Sequence, residues 1–126
     1  MSRPNVFANP ASWGPPAWIF LHCVSFTYPK NPTKEDKAHY RALFESLAYT
    51  LPCTLCQTEY RQWLQAHPVG PHLSSRKKLS LWLIQLHNNV NLKKNKSVVP
   101  TEAAALARIR RQCKKAHQGG DDDKRK

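Results

Sequence analysis

The sequence predicts an all-α protein on three observations. Apolar residues recur at three- and four-residue spacing, alternating β-branched runs are absent apart from residues 97–99, and helix-starting residues precede each apolar stripe. At 126 residues and 40% hydrophobic content, the chain has room for one compact domain with a modest core. Chains of this size often gain stability from a bound cofactor or a second subunit.

Residues 1–12, with Pro4 and Pro10 among polar spacers, read as an irregular N-terminal arm. Pro15 and Pro16 suit the opening turn of a first helix, where a missing N–H costs little. On that helix Trp18, Leu21, His22 and Ser25 share one face, and Ile19, Phe20, Cys23, Val24 and Phe26 make the remainder apolar as well. A helix hydrophobic nearly all round implies burial on two sides, by the core and by another subunit, so a homodimer is expected. Tyr28 and Pro29 end it.

Thr33 and Asp36 form a capping-box pattern for a second helix, whose stripe of Tyr40, Leu43, Phe44, Leu47, Ala48 and Leu51 runs to Pro52. Cys53, Cys56, Tyr60, Trp63 and Leu64 share one face of a third helix that closes near Pro68. After a turn-rich connection, Ser74 or Ser75 can cap a fourth helix. Its stripe of Leu79, Trp82, Leu83, Leu86, His87, Val90 and Asn91 sets two polar residues along a buried face, a mismatch that calls for a ligand. Pro100 and Thr101 introduce a fifth helix, with Ala105, Leu106, Ile109 and Cys113 aligned while Arg108, Arg110 and Arg111 point elsewhere. Residues 118–126 read as a disordered charged tail, which leaves 13–117 as the folded domain.

The N-terminal region lacks the pattern of a secretory signal, and the longest apolar stretch, residues 17–21, falls far short of the roughly 20 residues a membrane span needs. An intracellular protein without a membrane span is expected. The formal charge of +12 favours an anionic partner, but the basic residues are dispersed, and a solvated face explains them as well as a nucleic-acid patch. Nucleic acid is therefore not expected as the primary partner.

The four cysteines are unequal: Cys53 and Cys56 form a C-x-x-C pair, while Cys23 and Cys113 stand alone. A C-x-x-C opening a helix suits redox work, because the spacing lets the sulfurs bond and the positive helix end favours a thiolate. It also occurs in zinc sites, which here would need two histidines to complete them, and in thioredoxin-like proteins, whose βαβ context is absent. Cys23 and Cys113 each fall on an apolar helical face, so inert buried thiols are expected, with a Cys23–Cys113 disulfide as the alternative.

Three segments together narrow the choice. Trp18-Ile19-Phe20-Leu21-His22, Leu51-Pro52-Cys53-Thr54-Leu55-Cys56 and Trp82-Leu83-Ile84-Gln85-Leu86-His87-Asn88-Asn89-Val90-Asn91 resemble, in order and spacing, the Erv/ALR sulfhydryl oxidases. The resemblance covers residues 14–96, and the His-Asn-x-Val-Asn element is its most discriminating part. It implies a four-helix bundle with a short fifth helix, holding FAD at the mouth of the bundle.

By position the resemblance makes Gly14, Trp18, His22, Tyr28, His87, Asn88, Asn91, Lys93 and Lys96 the cofactor-binding residues, with Cys53 and Cys56 catalytic and no metal. Their chemistry fits a flavin: Trp18 and Tyr28 can wall the ring, His22, His87, Asn88 and Asn91 can donate or accept, and Lys93 and Lys96 can face the diphosphate. The implied reaction moves electrons from the dithiols of cysteine-containing protein substrates, through Cys53 as interchange thiol and Cys56 as flavin-proximal sulfur, to oxygen, giving hydrogen peroxide.

Departures from the family pattern accompany the match. Ile84 occupies the first position of the family's structural disulfide, neither terminal arm carries a shuttle cysteine pair, and the late aromatic pair of the adenine pocket is missing. The short, shuttle-free form is most similar to oxidases encoded by large DNA viruses, which implies the cytoplasm of an infected host cell or the virion. The mitochondrial intermembrane space is the alternative home. A basic helical module that binds zinc or nucleic acid is the alternative function.

Overall fold

A computed structural model describes residues 5–98 and 101–119, with side chains described as far as Lys115. Five α-helices account for most of it: α1 (Pro10–Phe26), α2 (Lys34–Thr50), α3 (Thr54–Ala66), α4 (Arg76–Lys93) and α5 (Glu102–Gly119). Short 3-10 turns at Val6–Ala8 and Gly70–His72 complete it, and there is no strand among the described residues. α1 lies against α4, α2 against α3, and α5 packs on α1 and α4.

Helix α1 begins five residues before the expected start. The Asn9 side chain accepts from the Ala11 N–H at 3.0 Å and Pro10 takes the first helical position, so Asn9-Pro10 satisfies the cap-plus-proline rule ahead of Pro15. Pro15 and Pro16 then lie inside the helix and leave the carbonyls of Ala11 and Ser12 without helical donors. Both residues are exposed, so water can serve those carbonyls. The expected irregular arm thus shrinks, with residues 5–9 holding a capped turn and residues 1–4 outside the described residues.

The remaining starts match their sequence signals. Thr33 and Asp36 form the reciprocal capping box, with bonds of 3.0 and 2.9 Å. Ser75 caps α4 by accepting from the Lys78 N–H. Helix α5, expected short, spans 18 residues and passes the expected domain end at residue 117, while 120–126 lie outside the described residues.

Trp82 is the centre of the core. Fully buried, it meets Phe44 edge-on at 5.4 Å and Trp63 at 5.3 Å between ring centroids, and its indole N–H donates to the His67 carbonyl at 2.8 Å. Each buried phenol likewise has a partner: Tyr60 donates to the Phe44 carbonyl and Tyr28 to the Leu73 carbonyl, both at 2.6 Å. These bonds tie α2 to α3, and the end of α1 to the start of α4.

Replacing Tyr28 by Phe keeps the packing but leaves the Leu73 carbonyl without its donor. Chemical denaturation should show a loss of about 1–3 kcal/mol with an unchanged denaturant slope.

Candidate functional site

Two adjoining cavities open beside α1 and α4. The first, of about 320 Å³, is mainly apolar and reaches from Trp13, Gly14 and Trp18 on α1, past Leu47 and Leu51 on α2, to Cys56 and Glu59 on α3. The second, of about 500 Å³, runs from Asn9 and Gly14 to Arg108 and Gln112 on α5 and includes His87, Asn91, Lys94 and Lys96. Both volumes fall in the range of small-molecule sites, roughly 300–1,000 Å³. Gly14, Trp18, Val90 and Lys94 line both, so the two form one elongated site.

The cavities differ in charge. Lys94, Lys96 and Arg108 line the second with no carboxylate among the described residues, which suits a phosphate-bearing ligand. In the first, Lys93 faces Glu59 at 3.9 Å, so its charge is already matched. Asn95 adopts φ 56°, a left-handed cap that ends α4 and lets the Lys96 N–H donate to the Asn91 carbonyl at 2.8 Å. That turn places Lys96 at the second cavity instead of continuing along the helix.

A ring stack forms the wall between α1 and α4. Trp18 stacks on His87 with centroids 4.0 Å apart and planes 7° from parallel. His87 Nδ1 lies 2.9 Å from His22 Nε2. That bond requires one of the two nitrogens to lack a proton, and the environment agrees. Burial, then the Arg108 charge, lowers the His22 pKa to about 4, and burial, then His22, Arg108 and Lys96, lowers that of His87 to about 3. His22 is 2% exposed, and its Nδ1 has no hydrogen-bond partner among the described residues. A buried orphan of this kind asks for a ligand atom or a water. Gly14 makes a similar request: a Cβ built there would meet nothing within 4 Å, so protein packing does not demand its smallness.

The cysteine pair lies at the start of α3, beside the first cavity. Cys53 is the N-cap of α3, its sulfur accepting from the Cys56 N–H at 3.1 Å. Cys56 lines the cavity, whereas Cys53 is not part of the lining. Burial, with Cys53 beside it, pushes the Cys56 thiol up to about 11 against the opposing pull of Lys94. The corner before α3 is fixed by Gln57, which donates to the Leu51 carbonyl at 2.7 Å, and by Arg61, which donates to the Ala48 carbonyl at 2.7 Å.

Of the expected site residues, the structure thus brings together Gly14, Trp18, His22, His87, Asn91, Lys93, Lys96 and Cys56, with Cys53 one helical turn from Cys56. Asn88 lies with His22, His87 and Arg108 around a small crevice under α5. Tyr28 goes elsewhere: it is 0% exposed, edge-on to Tyr40 at 4.7 Å, and lines neither cavity, so no face is left to wall a ring. Lys94, Glu59 and Arg108 are site residues the sequence reading missed. Arg108 was placed away from the core, yet it flanks the buried Ala105–Ile109 stripe, and that adjacency was the available signal. The Cys23 and Cys113 expectation also changes. Their sulfurs are 3.8 Å apart, Cys23 only half-buried and Cys113 exposed, because Cys113 lies a turn beyond Ile109, the last buried residue among the described α5 side chains.

The proposed zinc set of Cys53, Cys56 and two histidines is not assembled, since no three His, Cys, Asp or Glu side chains converge on a metal position among the described residues. A sequence profile of the Erv1/Alr family matches residues 15–114. A protein of Acanthamoeba polyphaga mimivirus, named a probable FAD-linked sulfhydryl oxidase, is 44% identical over 84 residues, 66% of this chain and 59% of that protein. The FAD-linked sulfhydryl oxidase ERV1 of Arabidopsis thaliana is 33% identical over 89 residues, 71% of this chain and 46% of the relative. The chain therefore spans about half the length of these curated relatives. The crystal structure of the yeast Erv1 core superposes with a TM-score of 0.66 at 27% identity, covering 77% of each chain.

The histidine pair sets a pH dependence. The unfolded imidazoles take up protons below the ordinary 6.5, whereas the folded pair resists until about 4 and about 3. Their contribution is fully present above pH 6.5 and declines as pH falls through that window. Denaturant midpoints should drop between about pH 7 and pH 4.5, and His87→Asn should flatten the curve. An equally steep curve in the variant would refute the pair as its source.

Proposed function

The chain belongs to the Erv1/Alr family, and from that premise we propose that it is an FAD-dependent sulfhydryl oxidase that forms disulfides in the dithiols of protein substrates. One observation carries the reading: Cys56 faces the cavity while Cys53 caps the helix outside its lining, so the two sulfurs have separate roles. FAD fits the residues present. Trp18, with His87 stacked behind it, supplies an aromatic wall, Gly14 leaves room for close approach, and Asn91 on the second cavity offers a polar contact. Lys94, Lys96 and Arg108 would hold the diphosphate end. When bound, FAD supplies the two-electron oxidation that restores the Cys53–Cys56 disulfide, with oxygen as final acceptor and hydrogen peroxide as product.

The chain's own part is thiol–disulfide exchange. A substrate thiolate attacks the Cys53 sulfur, the Cys53–Cys56 bond breaks, and Cys56 leaves with the electron pair. Lys94 is the cation positioned to favour that departing charge. A second substrate thiolate then attacks the substrate sulfur bound to Cys53, forming the product disulfide, and Cys53 leaves into the bond from the Cys56 N–H. The high Cys56 pKa means this sulfur takes up a proton once reduced.

The proposed assembly is a homodimer through the outer face of α1, where Phe20 remains 61% exposed. No described helix is long and apolar enough to cross a membrane. The proposed setting is viral, the cytoplasm of an infected cell or the virion, which the identity with the mimivirus relative supports.

Cys53→Ser and Cys56→Ser should each abolish dithiol-dependent oxygen consumption while the purified protein stays yellow, because the contacts named above for the flavin lie on α1, α4, the turn that follows α4, and α5. Full oxygen uptake in either variant would remove the pair from the relay, and a colourless wild type would remove the cofactor.

Light scattering at micromolar concentration should give twice the 14.5 kDa of one chain. Phe20→Glu should halve that mass, and a monomeric wild type would refute the pairing.

A further inference from the structure

Helix α5 depends on little for its place. Only Ala105 and Ile109 are buried along the part whose side chains are described, and the residues from Leu92 to Val98 that precede it are exposed. At about 25 cal/mol per Å² of apolar surface, two such side chains are a thin anchor for an 18-residue helix. Yet this helix delivers Arg108 and Gln112 to the cationic cavity, and Arg108 stands against the His22–His87 pair. Whatever fastens α5 therefore also governs one wall of the site.

A fastening is present next to that wall. Cys23 follows His22 on α1, and Cys113 lies one turn beyond Ile109 on α5. Their sulfurs are 3.8 Å apart across 90 residues of chain, with a gap to close to the bonded length of about 2.05 Å. The two helices already pack together, so the closure asks for side-chain rotation and not for rearrangement of the fold. No third His, Cys, Asp or Glu joins them among the described residues, which leaves a metal without a ligand set.

We infer that Cys23 and Cys113 form an intrachain disulfide that clasps α5 to α1 and thereby holds the cofactor in the cationic cavity. The oxidant is the Cys53–Cys56 disulfide of another copy, so this step rests on the function proposed above. The exposed Cys113 attacks as thiolate, the Cys53–Cys56 bond breaks, and a mixed disulfide forms with Cys56 released. Cys23 then loses its proton and attacks the Cys113 sulfur, expelling Cys53. The balance is two thiols oxidised to one disulfide and one disulfide reduced to two thiols, with FAD and oxygen resetting the donor. Burial and the neighbouring Cys113 raise the Cys23 pKa, which suits it to the second, intramolecular attack instead of the first encounter.

The test begins with the full-length protein, oxidised in air, denatured and alkylated without reduction, then digested for mass spectrometry. A peptide joining Cys23 to Cys113 is expected beside the Cys53–Cys56 peptide, in a protein that runs as a monomer on a non-reducing denaturing gel. Both residues alkylated while Cys53–Cys56 is bonded would overturn the inference, and so would a Cys23–Cys113 link found only in covalent dimers. The second arm follows flavin fluorescence as FAD leaves wild type, Cys23→Ser, Cys113→Ser and the double variant. Each variant should release FAD about fivefold faster or more and melt about 5 °C lower or more, with no further change in the double variant. Equal release from wild type and all variants would overturn the clasp. A wild type that binds no FAD would overturn the oxidase reading, and the peptide map would still decide the disulfide.

Discussion

The hydrogen bond between His22 and His87 joins α1 to α4 beside the second cavity, and the site is built outward from it. The bond exists only while one facing nitrogen lacks a proton, and burial keeps both rings neutral. One side of His87 is covered by Trp18, which continues into the lining of both cavities, and Arg108 approaches the pair from α5. A cation near two imidazoles would be costly if they were charged. Here it reinforces their neutrality and leaves its own charge available to a ligand.

The cysteine pair depends on a different constraint, the corner between α2 and α3. Pro52 cannot donate to a helical carbonyl, so α2 stops and the carbonyls of its last turn need other donors. Gln57 and Arg61, both on α3, reach back to the Leu51 and Ala48 carbonyls, and Tyr60 reaches the Phe44 carbonyl. Three side chains of one helix thus fix the end of the preceding one. The angle they set directs Cys56 inward to the cavity while Cys53 occupies the cap.

Charge is distributed with the same economy. Much of the +12 lies on lysines and arginines away from the site, but three cations converge where no carboxylate among the described residues lines the wall. The acidic residue Glu59 that lines the apolar cavity is matched by Lys93. An elongated site with an aromatic, apolar half and a cationic half suits a ligand that is itself divided into a flat ring and a phosphate-bearing end.

The sequence by itself determined the helical class, the order of five helices, the C-x-x-C at the start of α3 and the polar residues on the buried face of α4. Caps, prolines and helical periodicity are local signals, and each acts over a few residues of chain. It misplaced the start of α1 because Asn9-Pro10 and Gly14-Pro15-Pro16 send the same local message, and only packing selects between them. Tyr28 followed the family motif by position, yet its hydroxyl found the Leu73 carbonyl 45 residues away, and that partner drew it into the core. Arg108 at the cavity and Glu59 opposite Lys93 were decided by the tertiary structure, which also set Cys23 beside Cys113, a neighbourhood the sequence left as an alternative. Each joins residues on different helices, and the relative rotation of two packed helices is fixed by all their contacts together, which no single stretch of sequence records.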